Sequence, residues 1–155
     1  MCEVLGAEAQ GTLTQRDTYF DARHGRLKLR EEEGATAHLI AYERSDLIEQ
    51  RESKYRIVVI EDADRLKAAL ADALGVKVEV VKERRLFISE GARIHLDRVD
   101  GLGNFIEFEA IVGDHDAALP SAEAKVSALR RAFEIEDADL RGVSYSDMAL
   151  VADGG

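Results

Sequence analysis

Gly25-Arg26-Leu27-Lys28-Leu29-Arg30 alternates without a break, placing Arg26, Lys28 and Arg30 on one face of an extended chain and Leu27 and Leu29 on the other. A period of two marks a β-strand, and the same period recurs on both sides of this hexapeptide. It predicts strands over residues 12–20, 25–32, 35–44, 49–59, 76–89, 92–99 and 103–113. Turn pairs separate several of them: His24-Gly25, Glu33-Gly34, Glu90-Gly91 and Asp100-Gly101. Two stretches change period. Residues 61–74 set Leu66, Ala69, Leu70, Ala73 and Leu74 on one helical face, with acidic residues in the first turn and Gly75 past the end. Residues 120–133 do likewise through Val126, Leu129 and Phe133, with Pro120 near the start. A short helix is predicted at 145–151. Many strands, few helices and no strand–helix alternation imply an α+β chain, mainly antiparallel β. Its sheet is expected to close, or nearly close, into a β-barrel flanked by two or three helices.

A chain of 155 residues, 46% hydrophobic and 34% charged, suits a single globular domain, 1–155, with a core of its own. Its apolar runs, such as Ile57-Val58-Val59-Ile60, are strand-sized and too short to span a membrane. Met1-Cys2-Glu3-Val4-Leu5-Gly6 lacks the basic flank and apolar core of an export signal. Cys2 is the only cysteine, which excludes an intrachain disulfide and a multi-cysteine metal site, and a cytoplasmic location is expected. The net charge of −10 argues against nucleic acid and anionic membrane as partners, because both need a basic face. An acidic exterior is nevertheless compatible with a basic pocket.

The charged alternate face of residues 25–30 has counterparts. Lys82 and Arg84 share a face; so do Arg93, His95 and Asp97; so do Glu107 and Glu109; and Arg44 closes His38-Leu39-Ile40-Ala41-Tyr42-Glu43-Arg44. Like charges about 4 Å apart at an effective dielectric of about 20 repel by roughly 4 kcal/mol. Cations converging in a barrel would therefore need anions: Asp97, Glu107 and Glu109 in part, and a phosphate chain for the rest. The carboxylates would then serve as oxygen ligands for Mg²⁺ or Mn²⁺ bridging to the phosphates. The other reading, that these charges pair across strands on a solvated face, stands beside it on periodicity alone.

The ordered stations Gln15-Arg16-Asp17-Thr18-Tyr19-Phe20, Gly25-Arg26-Leu27-Lys28-Leu29-Arg30, Tyr42-Glu43-Arg44 and Arg93-Ile94-His95-Leu96-Asp97-Arg98-Val99-Asp100-Gly101-Leu102-Gly103-Asn104-Phe105-Ile106-Glu107-Phe108-Glu109 resemble the CYTH domains. This family, the triphosphate tunnel metalloenzymes, includes class IV adenylyl cyclases and thiamine triphosphatases; the similarity runs over residues 5–148 and is nearest to the cyclase branch. The resemblance implies a CYTH-like β-barrel, the triphosphate tunnel. It implies phosphate-binding roles for Lys28, Arg30, Arg44, Lys82, Arg84 and Arg93, with Arg26 and His95 in support. It also implies metal-handling roles for Asp97, Glu107 and Glu109, the last two as direct ligands. The implied substrate is a triphosphate-bearing small molecule, with ATP favoured.

The chain departs from the family at one place. No Glu-x-Glu-x-Lys strand precedes Gln15, and the first lysine is Lys28. Three explanations stand open: a mis-assigned start, a relative that only binds polyphosphate, or a strand supplied by a second chain in a homodimer. The functional expectations are correspondingly ordered. A class IV cyclase-like protein acting on the phosphates of its ligand comes first. A catalytically weakened nucleotide- or polyphosphate-binding module comes second, and a structural barrel with paired surface charges third. No catalytic residue is singled out. His24 and His115 fall in predicted loops, His38 carries no mark of a base, and Tyr19, Phe20, Phe105 and Phe108 read as core. The absence of Trp mildly disfavours a thiazolium ligand.

Overall fold

The computed structural model of the chain describes residues 6–43, 55–89, 92–110 and 119–153. Among the described residues period two in the sequence becomes seven strands: β1 (Glu8–Phe20), β2 (Arg26–Glu32), β3 (Ala37–Tyr42), β4 (Tyr55–Ile60), β5 (Val76–Ser89), β6 (Ala92–Val99) and β7 (Gly103–Ala110). The helical stretches become α1 (Ala63–Leu74), α2 (Leu119–Ala132) and α3 (Tyr145–Asp153), with a 3₁₀ turn at Asp137–Asp139. The hydrogen-bonded strand order is β4-β3-β2-β1-β5-β6-β7, and the β1–β2, β2–β3 and β3–β4 pairings are antiparallel. The chain is thus α+β and mainly antiparallel β, as the alternation predicts.

The molecule divides into two compact units, one made of Thr14–Lys82, Val99–Gly103 and Gly142–Gly155, the other of Met1–Leu13, Glu83–Arg98 and Asn104–Arg141. In the first unit Phe20, Leu29 and Ala37 form a core on which Ala63, Leu66, Leu70 and Ala71 of α1 pack, with Leu27 and Ile60. The stripe is narrower than residues 61–74 suggest: Leu66 and Leu70 reach the core, while Ala69, Ala73 and Leu74 are exposed. A single short helix lying on a sheet presents only the side chains directly beneath its axis. Asp62 begins α1 by accepting the Arg65 amide at 3.1 Å, and the Gly75 amide closes it on the Ala71 carbonyl at 2.9 Å.

Gly25 sets the start of β2. Its φ is 64°, and a Cβ there would lie 2.7 Å from the Tyr42 carbonyl oxygen. Only glycine tolerates both conditions, so the β2–β3 register that opposes Arg26 to Tyr42, Lys28 to Ile40 and Arg30 to His38 begins from this residue. In the second unit Ala7, Phe87 and Ile94 form the core, with Leu96, Phe108, Leu129 and Phe133 packed against it. Phe108 and Phe133 meet as a tilted pair, centroids 5.5 Å apart. Leu129 of α2 and Phe133, one residue past its end, thereby both reach this core. Among the described residues no helix is long and apolar enough to cross a membrane.

Candidate functional site

The first unit holds a buried cation cluster. The β1–β2 register opposes Asp17 to Arg30 and Tyr19 to Lys28, so alternation brings Asp17, Tyr19, Lys28 and Arg30 to one face. Lys28 Nζ donates to Asp17 Oδ2 at 2.7 Å, and Arg30 forks onto the same carboxylate, Nε to Oδ1 and Nη2 to Oδ2, both at 2.7 Å. Asp17 is 3% exposed, Lys28 8% and Lys82 4%, which is deep for ionised side chains. Lys28 Nζ sits 5.4 Å from the Tyr19 ring centre and 5.9 Å from that of Tyr42; Lys82 Nζ sits 5.2 Å from that of Tyr145. The negative faces of these rings stabilise ammonium groups that have lost their water.

The charges act on one another. Burial pushes the Asp17 carboxyl up, but the Arg30 guanidinium and the Lys28 ammonium outweigh it and hold the group well below the usual carboxylate range. Burial pulls the Lys28 ammonium down; Asp17 opposes the fall, Arg30 and Lys82 add to it, and the group is brought to about 8. Desolvation, with the Asp17 charge behind it, raises the Tyr19 phenol, which stays neutral. Arg30, also desolvated, is held above its ordinary value by Asp17.

Arg26, two residues before Lys28 on β2, is held by α3. Its Nη1 donates to Ser144 Oγ, and to Ser146 Oγ at 3.2 Å, and its Nη2 donates to both oxygens of Asp147 at 3.1 and 2.8 Å. Ser144 and Asp147 cap the helix reciprocally: the Ser144 amide donates to Asp147 Oδ2 at 3.1 Å, and the Asp147 amide to Ser144 Oγ at 3.2 Å. Partial burial raises the Asp147 carboxyl, and Ser144 and Arg26 more than reverse this.

The second unit holds an acid–base set. Arg84 forks onto Asp97, Nε to Oδ1 at 2.7 Å and Nη2 to Oδ2 at 2.6 Å, and Nη2 also reaches Glu107 Oε2 at 2.8 Å. Arg93 donates to Glu109 Oε2 at 3.3 Å. His95 lies between the two glutamates, Nδ1 3.4 Å from Glu107 Oε2 and Nε2 3.8 Å from Glu109 Oε2. The Asp97 side chain is fully buried, whereas those of Glu107 and Glu109 are 53% and 51% exposed. Both Asp97 oxygens are taken by Arg84, which gives it a counter-ion geometry; Glu107 and Glu109 are half open to solvent. Among the described residues no three His, Cys, Asp or Glu converge closely enough to cage a metal alone.

Lys28, Arg30 and Lys82 thus fall in the first unit, and Arg84, Arg93, Asp97, Glu107 and Glu109 in the second. Arg44 lies outside the described residues. Asp17 belongs with the cations, though its sequence context gives only a lone carboxylate among Gln15, Tyr19 and Phe20. Its alternation with Gln15 and Tyr19 is the signal that could have found it. The grip of α3 on Arg26 is likewise foreshadowed only by the Ser144-x-x-Asp147 capping pattern.

The fold has counterparts among solved structures. The PH1012 protein from Pyrococcus horikoshii OT3 superposes with a TM-score of 0.81 at 19% identity, over 94% of this chain and 88% of that one. The PH1819 protein of the same organism gives 0.71 at 24% identity, over 96% and 89%. A Vibrio parahaemolyticus protein described as "a putative adenylate cyclase" gives 0.73 at 24% identity, over 92% and 83%. No curated protein matches in sequence. The CYTH domain family matches residues 2–142, the greater part of the chain and most of both units, and the protein therefore belongs to the CYTH family, as the stations at residues 15–20, 25–30 and 93–109 imply.

Proposed function

We propose that this CYTH protein binds a triphosphate-bearing small molecule, ATP in the first instance, with a divalent cation, and acts on its phosphates in the manner of a class IV adenylyl cyclase. One observation carries the reading. Lys28 and Lys82 are buried within one unit, close enough for Lys82 to depress Lys28. Asp17 already answers Lys28 and Arg30, but it brings one negative charge to two positive ones, so a further anion would stabilise the buried cations. A phosphate chain is an anion of the right charge density, contacted by lysines as point charges and by Arg30 as a fork. Arg84 and Arg93 of the other unit, and Arg44, keep in this reading the phosphate-binding roles assigned from sequence, and residues 1–155 are taken as one domain.

The carboxylates fit a metal that arrives with its phosphates. Mg²⁺ and Mn²⁺ in such sites are held by one or two carboxylates together with substrate oxygens and water, and Glu107 and Glu109 offer two half-exposed carboxylates. Asp97 acts beside them by holding Arg84. When bound, the ion neutralises charge on the phosphates and sharpens their electrophilicity. The chain's own contribution is positioning: Lys28, Arg30 and Lys82 fix the phosphates in a site where Asp17, Tyr19 and Tyr42 keep the cations in place. In a cyclase the ribose 3′-hydroxyl attacks the α-phosphate and pyrophosphate leaves; in a triphosphatase water attacks a terminal phosphate.

A second reading, a binding module with weakened chemistry, is favoured by Asp97, whose two oxygens are both taken by Arg84. Incubation with ATP and Mn²⁺ followed by product analysis separates the two. Cyclic AMP and pyrophosphate, lost in Glu107→Gln, support the cyclase. Bound but unconverted ATP supports the module. No ATP binding at all contradicts both.

A further inference from the structure

Ile57, Val58 and Val59 of β4 are 61%, 54% and 62% exposed. Successive strand residues point to opposite faces, so both faces of β4 are open to solvent, not one. Among the described residues β4 pairs on one side only, with β3, and it stands at one end of the strand order. Edge strands are ordinarily protected from further pairing by charges, proline or a bulge. From Ile57 to Ile60 this strand has no charge and no proline.

We propose that β4 pairs antiparallel with β4 of a second copy of the chain, across a two-fold axis at Val58. The charges that bracket the apolar run select this occupant and this direction. Arg56 precedes the run, Glu61 and Asp62 follow it, and all three are exposed. With Val58 opposite Val58, Ile57 faces Val59 of the second copy and Arg56 faces its Ile60. Arg56 then lies diagonal to Asp62 of the second copy and beside its Glu61, within reach of a long side chain. Symmetry makes each such pair twice. A parallel pairing would instead set Arg56 against Arg56 and Glu61 against Glu61.

The alternation also makes both faces continuous. Val58 and Ile60 share a face with Leu39 and Ala37, their β3 partners, and Ile60 and Ala37 belong to the core that α1 covers. Ile57 and Val59 share the other face with Ile40 and His38. The pairing therefore covers apolar surface above and below the sheet while it completes the backbone hydrogen bonds of the edge. It stands apart from the phosphate reading and survives that reading's failure.

Sedimentation equilibrium of the full chain tests it. The expected result is a concentration-dependent species of twice the chain mass, absent in Val58→Lys, with the far-UV circular dichroism of the variant unchanged because the position is exposed. A second variant fixes the register. Residues opposite each other in an antiparallel pair have Cα atoms about 4.5–5.5 Å apart, inside the disulfide range of about 4.4–6.8 Å. Val58→Cys in a Cys2→Ser background should give a covalent dimer on mild oxidation. A wild type that stays monomeric at every concentration overturns the proposal. So does a dimer that persists in Val58→Lys, or a Val58→Cys dimer whose two chains fail to cross-link.

Discussion

Asp17 is the shared counter-ion of Lys28 and Arg30, and both depend on it for burial. Removing one partner of a buried ion pair costs about 3–5 kcal/mol, because the charges left behind lose their compensation. Asp17→Asn is expected to lower unfolding stability by about that amount, read as a shift in the urea midpoint, and more than Glu109→Gln, whose pair is half exposed. The pH dependence has two limbs of opposite sign. The Lys28 pKa is about 8 in the fold against 10.5 ordinarily, so between those values the unfolded chain binds more protons. Its contribution to stability therefore grows as pH rises from about 8 to 10.5. The Asp17 carboxyl lies below its ordinary 3.8; its contribution is complete above that value and is lost as pH falls through the folded value. Binding of inorganic triphosphate should weaken as pH rises through about 8, where Lys28 loses its charge. Lys28→Met should bind more weakly at neutral pH and lack this inflection. A wild-type affinity that is flat from about pH 7 to 9, across the Lys28 titration, would exclude Lys28 as a phosphate contact.

At the scale of elements, the Ser144–Asp147 cap couples α3 to β2 through Arg26. Arg26→Ala removes its bonds to Ser144, Ser146 and Asp147 while leaving Asp17, Lys28 and Arg30 in place. The Asp147 side chain is 38% exposed, so solvent screening limits the global loss to about 1 kcal/mol. The expected result is faster amide exchange confined to residues 145–153, with little change in the midpoint; equal acceleration throughout the chain would contradict a local role. The elements themselves were legible from alternation, since β5 and β6 begin and end where period two does. β1 is longer than its pattern, starting at Glu8 where the prediction starts at 12, because Glu8-Ala9-Gln10-Gly11 carries no alternating apolar set to reveal a strand. The face of α1 was legible only in part, because spacing identifies a helical stripe but not how much of it the sheet beneath will touch.

For the molecule as a whole, composition and interior point in opposite directions. The chain carries a net charge of −10 and yet buries Lys28, Lys82 and Arg84. Duplex DNA needs a basic exterior, so no measurable DNA binding is expected at physiological salt, while a small polyanion still binds. Screening should weaken that binding less than it weakens an exposed contact; a salt slope as steep as that of a surface polyanion site would place the cations outside. The cations were legible because a strand's period assigns each to a face. Their partners were not, because period two says nothing of register, and register decides that Arg30 meets Asp17. The carboxylate contacts of Arg84 were hidden for the same reason, since Asp97 and Glu107 come from different strands.

The central claim is that the buried cations exist to hold a phosphate chain. Isothermal calorimetry with inorganic triphosphate, with and without Mg²⁺, tests it most directly, on wild type, Lys28→Ala and Lys82→Ala whose folding is checked by circular dichroism. The expected result is micromolar-range binding by the wild type, on the order of −8 kcal/mol, weakened at least tenfold in each variant. A folded wild type that releases no heat and shows no thermal stabilisation with triphosphate, or variants that bind as tightly as the wild type, would contradict it.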